Sequence, residues 1–203
     1  MSFEIELKAH VYNRDEVISI LNSLDDCKYE GHREKSDTYY KFPLSSNKSE
    51  GGKNHISARI RKERFTLADV DNTQYLFTYK KKERIVDSNG TEIEVNDENE
   101  MAFSQSPDAL EVFFKDLGGT VSLKKEKSVE GWIAKIDGEY AHIELCTVPP
   151  LGDFLEIEII KDENDAQTVD RCKKIEEKIF TLCKIPLNQI ESRYYKDLLK
   201  AFS

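Results

Sequence analysis

Alternation of charged and apolar residues begins at the third position. Residues 3–12, "FEIELKAHVY", set Phe3, Ile5 and Leu7 on one parity and Glu4, Glu6 and Lys8 on the other, the period-two signature of a strand. The period changes at Asn13. "NRDEVISILNSLD" opens on a capping residue and places Val17, Ile18, Leu21 and Leu24 on one stripe, which predicts a helix over 13–25. Residues 36–43, "SDTYYKFP", are aromatic and stop at Pro43, so a strand is expected there. Residues 44–54 are polar with two glycines and read as a surface loop, with a lid over an opening as the alternative. Strands are expected at 55–64 and 74–85, and "DSNGTEIEV" adds an Asn-Gly turn and a short strand to make a hairpin. "SPDALEVFFKDLGG" has a capping Ser, a Pro in the first turn and a Gly-Gly stop, predicting a helix over 106–117. Strands resume at 120–129, 131–137, 140–147 and 153–161, with Asp137-Gly138 as a turn. Residues 163–183 read as a long amphipathic helix and "QIESRYYKDLLKAF" as a terminal one. The class is α+β. About eight or nine strands with short antiparallel connections favour a sheet that closes on itself.

The parity of the charges is more specific than their number. Arg59 and Arg61 oppose Ala58 and Ile60 on one strand. Lys80 and Lys82 share a parity on the next, Glu92 and Glu94 on the hairpin strand, and Lys125 and Lys127 on another. His142 and Glu144 oppose Ala141, Ile143 and Leu145, and Glu156 and Glu158 oppose Leu155, Ile157 and Ile159. A solvated sheet face explains any one such strand. It explains the sorting by sign less well, because acids gather on the first and last strands and bases on the central ones. Two cations about 6 Å apart repel by roughly 3 kcal/mol at an effective dielectric near 20. A face carrying Arg59, Arg61, Lys80, Lys82, Lys125 and Lys127 therefore calls for an anion. A face carrying Glu4, Glu6, Glu156 and Glu158 calls for a divalent cation, and hard carboxylate oxygens select Mg²⁺ or Mn²⁺ over zinc. If the charged faces point into a barrel, the apolar faces point out, and the stripes of helices 13–25 and 163–183 would cover them.

Composition narrows the partners. The chain has 203 residues, 34% of them charged, and a formal net charge of −9. Such a field repels phosphate backbones, so no nucleic-acid partner is expected, and an anionic small molecule needs a local basic pocket. No apolar run approaches the roughly 18–20 residues of a membrane span, so no membrane partner is expected either. The start "MSFEIELK" lacks a basic region followed by an apolar one, so no secretory signal is visible. Cys27, Cys146, Cys172 and Cys183 form no CxxC pair, and a cytoplasmic location with reduced thiols follows as the expectation. The histidines, His10, His32, His55 and His142, show no HxxxH spacing.

With these residues in view, the chain resembles the CYTH superfamily, the triphosphate tunnel metalloenzymes. "EIELK" at 4–8 is similar to the N-terminal ExExK signature, and "DTYY" at 37–40 to the D-x-Y-[YF] strand. "ARIRK" at 58–62 resembles the RxR strand, "LFTYK" at 76–80 the strand ending in lysine, and "KKEK" at 124–127 the KxR strand with Lys127 for arginine. "LGDFLEIE" at 151–158 resembles LGxFxExE, and "SRYYKDLL" at 192–199 the SYxxLL tail of the class IV adenylate cyclase branch. ExExK alone is a weak motif; the ordered set spans nearly the whole chain.

The resemblance implies a single domain over 1–203, built as a closed eight-stranded antiparallel β-barrel, a tunnel with a charged polar interior and helices packed outside. It implies Mg²⁺ or Mn²⁺ as cofactor and a triphosphate substrate: ATP, tripolyphosphate or thiamine triphosphate. Glu4, Glu6, Glu156 and Glu158 would hold metal. Lys8, Arg59, Arg61, Lys80, Lys125, Lys127 and Arg193 would hold phosphates, with Glu4, Glu6, Lys8 and Lys80 as the catalytic set. A homodimer is left open. One position departs from the family: Cys146 stands where an Asp is usual, which puts a second metal site in doubt, with Glu144 as the substitute on the same face. Adenylate cyclase is the first functional reading, an inorganic or thiamine triphosphatase the second, and a nucleotide- or polyphosphate-binding module without turnover the third. Trp132 and the tyrosines are read as packing groups, with Tyr39 and Tyr79 as minor candidates for substrate contact.

Overall fold

The computed structural model describes residues 3–42, 55–67, 70–86 and 92–202, with the backbone alone for strand residues 55–57, 67, 70–71, 80–86 and 92–98. The elements run β1 (Phe3–Val11), α1 (Arg14–Ser23), β2 (Cys27–Lys41), β3 (His55–Leu67), β4 (Val70–Val86), β5 (Glu92–Phe103), α2 (Asp108–Asp116), β6 (Thr120–Ile136), β7 (Glu139–Val148), β8 (Gly152–Lys161), α3 (Ala166–Leu182) and α4 (Tyr195–Ala201), with a 3₁₀ turn at Leu187–Gln189. Every strand pairing is antiparallel. β1 is hydrogen-bonded to β5 on one side and β8 on the other, so the order β1-β5-β4-β3-β2-β6-β7-β8 returns to its start as a closed barrel. The expectation at 44–54 lies outside the described residues.

Local chemistry explains most boundaries. The Asn13 side chain accepts from the Glu16 amide at 3.3 Å and starts α1, and Asp165 accepts from the Gln167 and Thr168 amides at 3.0 and 3.1 Å to start α3. Asp137 and Gly138, at φ 51° and 86°, make the tight β6–β7 turn. Helix α2 differs from expectation: Pro107 occupies the cap position, and the Ser106 hydroxyl donates to the Asp108 carboxylate at 2.6 Å instead of capping. The expected division between strands 120–129 and 131–137 is absent, since β6 continues through Gly131. That glycine lies opposite Gly31 (φ 121°) at an irregularity in the β2–β6 ladder, and a Cβ there would stand 2.3 Å from Arg33 Nη1. β2 begins at Cys27, nine residues before the aromatic run, and β5 runs on through the acidic "NDENEMAF". Neither extension carries aliphatic alternation, so neither reads as strand. The terminal helix is confined to seven residues.

The outer faces of β1, β6, β7 and β8 are covered. The outward residues Ile5, Leu7, Ala9, Trp132, Ala134, Ala141, Ile143, Leu145, Leu155, Ile157 and Ile159 form one core with Val17 and Leu21 of α1 and Val169, Cys172, Ile175, Ile179 and Phe180 of α3. The two amphipathic helices therefore cover apolar staves, as their stripes predicted. Trp132 belongs to this packing and donates from Nε1 to Asn22 Oδ1 at 2.9 Å. Among the described residues no helix is long and apolar enough to cross a membrane.

Candidate functional site

The inward face is charged and buried at once. Lys8, Lys35, Asp37, Glu63, Lys125, Lys127 and Glu156 are all buried, although each shares a strand with outward residues that α1, α2 or α3 cover. Alternation along a strand forces this division, because every second side chain must point away from the helices.

Cations line the wall made by β2, β3 and β6. Arg59, Arg61, Lys125 and Lys127 point inward there, and Lys35 joins them from β2. Asp37 sits among them. It accepts from Arg61 Nε and Nη2 at 2.6 and 3.0 Å and lies 3.2 Å from Lys125 Nζ. Burial alone would raise its pKa, but the charges of Arg61 and Lys125 outweigh burial and hold it well below the usual carboxylate range. Arg59 is anchored separately, donating to Thr78 Oγ1 at 2.8 Å, while that hydroxyl donates to Glu100 at 2.9 Å.

Acids line the opposite wall, made by β1, β7 and β8. In register, Glu6 faces Glu158 and Lys8 faces Glu156, while β7 adds His142 beside Glu158 and Glu144 beside Glu156. Like charges directly opposite are unfavourable, and a divalent cation relieves that arrangement. Glu144, Cys146 and Glu156 bring potential ligand atoms within 4.8 Å of one another, and Glu156 Oε1 is buried with no hydrogen-bond partner among the described residues. This oxygen-rich set, with one thiol in it, fits a divalent cation.

The two walls also compensate each other, which sign sorting along single strands does not reveal. Lys127 Nζ donates to Glu156 Oε2 at 2.5 Å, and Lys35 donates to Glu144. Burial would raise the Glu144 carboxyl, but Lys35 and Lys127 bring it down to about 2. Burial would depress Lys127, but the charges of Glu156 and Glu144 hold it well above its ordinary value. Cys146 is fully buried, and burial followed by the charge of Glu156 keeps its thiol protonated.

One end of the interior is apolar. Val129, Cys146, Val148 and Phe154 pack there against Leu198, with Leu151 and Tyr195 at the edge, so α4 seats side chains against the barrel's inner face. The Tyr195 ring is surrounded by lysines, with the ammonium groups of Lys125, Lys127 and Lys8 at 4.8, 5.3 and 5.5 Å from its centroid.

The expected site residues thus divide. Lys8, Arg59, Arg61, Lys125 and Lys127 share the interior with Glu6, Glu156 and Glu158, and Glu4 lies on the same face of β1. Lys80 is on β4, its backbone opposite Ser57 and Glu98, and its side chain lies outside the described residues, as do those of Lys82, Glu92 and Glu94. Arg193 lies apart from these: its side chain is 60% exposed and pairs with Glu191 at 2.6 Å. The loop that carries it runs along the surface, where a near neighbour in sequence captures the guanidinium. Tyr79 stands on the outward parity and is 40% exposed, whereas Tyr39 faces inward with its hydroxyl 3.4 Å from Asp37 Oδ2. Asp37 and Lys35 were not among the expected site residues, and Tyr195 was expected only to pack. The first lies inside the D-x-Y motif, which was its available signal.

No known family's sequence profile matches the chain, and no curated protein matches it in sequence. Its fold does have solved counterparts. The PH1819 protein of Pyrococcus horikoshii OT3 aligns over 98% of this chain and 99% of its own, at TM-score 0.71 and 22% identity. The PH1012 protein of the same organism aligns over 96% and 98%, at TM-score 0.64 and 25% identity. A Vibrio parahaemolyticus protein named "putative adenylate cyclase" aligns over 98% of both chains, at TM-score 0.67 and 19% identity. These likenesses extend over the whole barrel and establish a shared fold.

Proposed function

We propose that the chain is one CYTH-like domain over 1–203, a divalent-metal-dependent enzyme acting on a triphosphate inside the charged barrel. The observation that carries this is the pair of opposed walls: buried cations on β2, β3 and β6 face buried carboxylates on β1, β7 and β8. Buried ion pairs are costly to desolvate, and replacing them with apolar residues is often neutral or stabilising. A ligand that brings phosphates to the lysines and a cation to the carboxylates exchanges each internal pair for an external one. No charge is then left uncompensated.

In this reading Lys8, Arg59, Arg61, Lys80, Lys125 and Lys127 hold the phosphate oxygens, the arginines with two donors each. Glu4, Glu6, Glu156 and Glu158 hold Mg²⁺ or Mn²⁺. The metal supplies Lewis-acid neutralisation of phosphate charge. Ion pairing keeps Glu144 and Glu156 ionised and Lys127 protonated. Cyclisation of ATP, in which the ribose 3′-hydroxyl attacks the α-phosphorus and pyrophosphate leaves, is the first reading. The name given to the Vibrio relative and the tail "SRYYKDLL" favour it. Hydrolysis of tripolyphosphate or thiamine triphosphate by water is the second, because it draws on the same cations and carboxylates.

The test is incubation of the purified protein with ATP, tripolyphosphate and thiamine triphosphate, each with Mg²⁺ or Mn²⁺. Cyclic AMP with pyrophosphate supports the cyclase, and orthophosphate supports the triphosphatase. Tight binding without turnover would leave a binding module. Neither binding nor turnover would overturn the reading.

A further inference from the structure

We propose that Tyr195 is a substrate-binding residue of this barrel, its hydroxyl donating a hydrogen bond to a phosphate oxygen while its ring spaces the lysines that hold the same phosphate chain. This rests on the triphosphate reading above. The sequence resemblance covers the tail but assigns no role to this tyrosine.

Three features of its surroundings converge. The first is the ring's position among cations. Lys8, Lys125 and Lys127 come from two different strands, β1 and β6, yet all three ammonium groups lie between 4.8 and 5.5 Å from one centroid. An aromatic face attracts ammonium ions, so one ring partly offsets the mutual repulsion of three cations and sets the gap between them. An edge-to-face contact with Phe154, at 5.1 Å between centroids, fixes the ring's orientation.

The second feature is the hydroxyl. It is buried, and the acceptor beside it is the Glu156 carboxylate, which Lys127 already engages. The third is its neighbour Glu156, which receives Lys127 on Oε2 and has no partner on Oε1. A phenol is protonated near neutral pH, so the hydroxyl can donate. An anion entering among the three ammonium groups meets this donor at once, and a cation on Glu156 removes the competing acceptor.

The experiment compares wild type, Tyr195→Phe and Tyr195→Leu. Calorimetry measures tripolyphosphate binding with EDTA present, and thermal unfolding is followed without ligand. Tyr195→Phe keeps the ring and is expected to weaken binding about tenfold, the usual effect of losing one hydrogen bond to a charged group. Its unliganded Tm should stay near the wild-type value, because Glu156 keeps its pairing with Lys127. Tyr195→Leu should lose further affinity. Wild-type affinity in Tyr195→Phe, or a lowered Tm with binding intact, would overturn the assignment while leaving the triphosphate reading standing. Equal affinity in the two variants would overturn the spacing role of the ring. A wild-type protein that does not bind tripolyphosphate would overturn the triphosphate reading itself and this inference with it.

Discussion

Asp37 accepts two hydrogen bonds from Arg61, at 2.6 and 3.0 Å, from a position where its side chain has no exposure to solvent. One buried anion thereby serves the cationic wall from inside it, with Lys125 as its second partner. Removing the anion leaves two buried cations uncompensated. Asp37→Asn is expected to cost about 3–5 kcal/mol in urea unfolding, and tripolyphosphate should restore part of the loss by supplying negative charge to the same groups. The pH dependence has a definite sign. The folded pKa lies below the unfolded value of 3.8, so the stabilisation is complete above that value and is lost as pH falls through the folded pKa. Wild type should lose stability more steeply than Asp37→Asn below about pH 4. Parallel acid titrations of the two proteins would refute this.

The barrel was legible wherever a strand has one apolar face, and illegible elsewhere. β1, β7 and β8 alternate cleanly because α1 and α3 cover their outer sides. The first part of β2, from Cys27 to Lys35, has charged or polar residues on both parities, so no period marks it as a strand. The parity of Arg59, Arg61, Lys125 and Lys127 was enough to put them on one wall. It could not show that Lys127 reaches past β7 to Glu156, because that contact depends on which strands neighbour one another. Nor could a motif position show that Arg193 pairs with Glu191, two residues away, at the surface.

Glu6→Gln tests the acidic wall. The residue faces Glu158 across the β1–β8 ladder, and the amide keeps its shape while removing a charge that a hard cation needs. Metal-dependent turnover should fall by at least about 100-fold, a loss typical of removing a key electrostatic group. Circular dichroism should be unchanged, and the rise in Tm on adding Mg²⁺ or Mn²⁺ should disappear. Wild-type turnover in this variant would remove Glu6 from the site.

Cys146→Asp probes the departure from the family pattern. The thiol stands 3.6 Å from Glu156 Oε2, in a group whose ligand atoms lie within 4.8 Å of one another. A carboxylate there adds a hard oxygen, so the Mg²⁺ concentration giving half-maximal activity should fall several-fold. It also adds an anion to a buried cluster, so the metal-free protein should be less stable by about 1–3 kcal/mol. An unchanged Mg²⁺ requirement would place position 146 outside the metal's reach.

Glu176 offers a test that reaches the acidic wall from behind. It lies on α3, has no solvent exposure, and neither carboxyl oxygen has a partner among the described residues. Burial, then the charges of Glu6, Glu158 and Glu177, raises its pKa well above 4.5, with Lys173 opposing. A raised folded pKa favours the protonated fold. Its stabilisation is present below the unfolded value and is lost as pH rises through the folded one. Glu176→Gln mimics the protonated form at every pH. The variant should match wild type near pH 5 and then gain on it by up to about 1.4 kcal/mol per pH unit until the folded pKa is passed. Urea midpoints at pH 5 and pH 8 measure the difference, and a gap that does not change between them would show that Glu176 is ionised in the fold. The same groups connect this residue to metal binding. A divalent cation on Glu6 and Glu158 removes the repulsion that helps keep Glu176 protonated, so Mg²⁺ should reduce the pH dependence in wild type and leave Glu176→Gln unaffected.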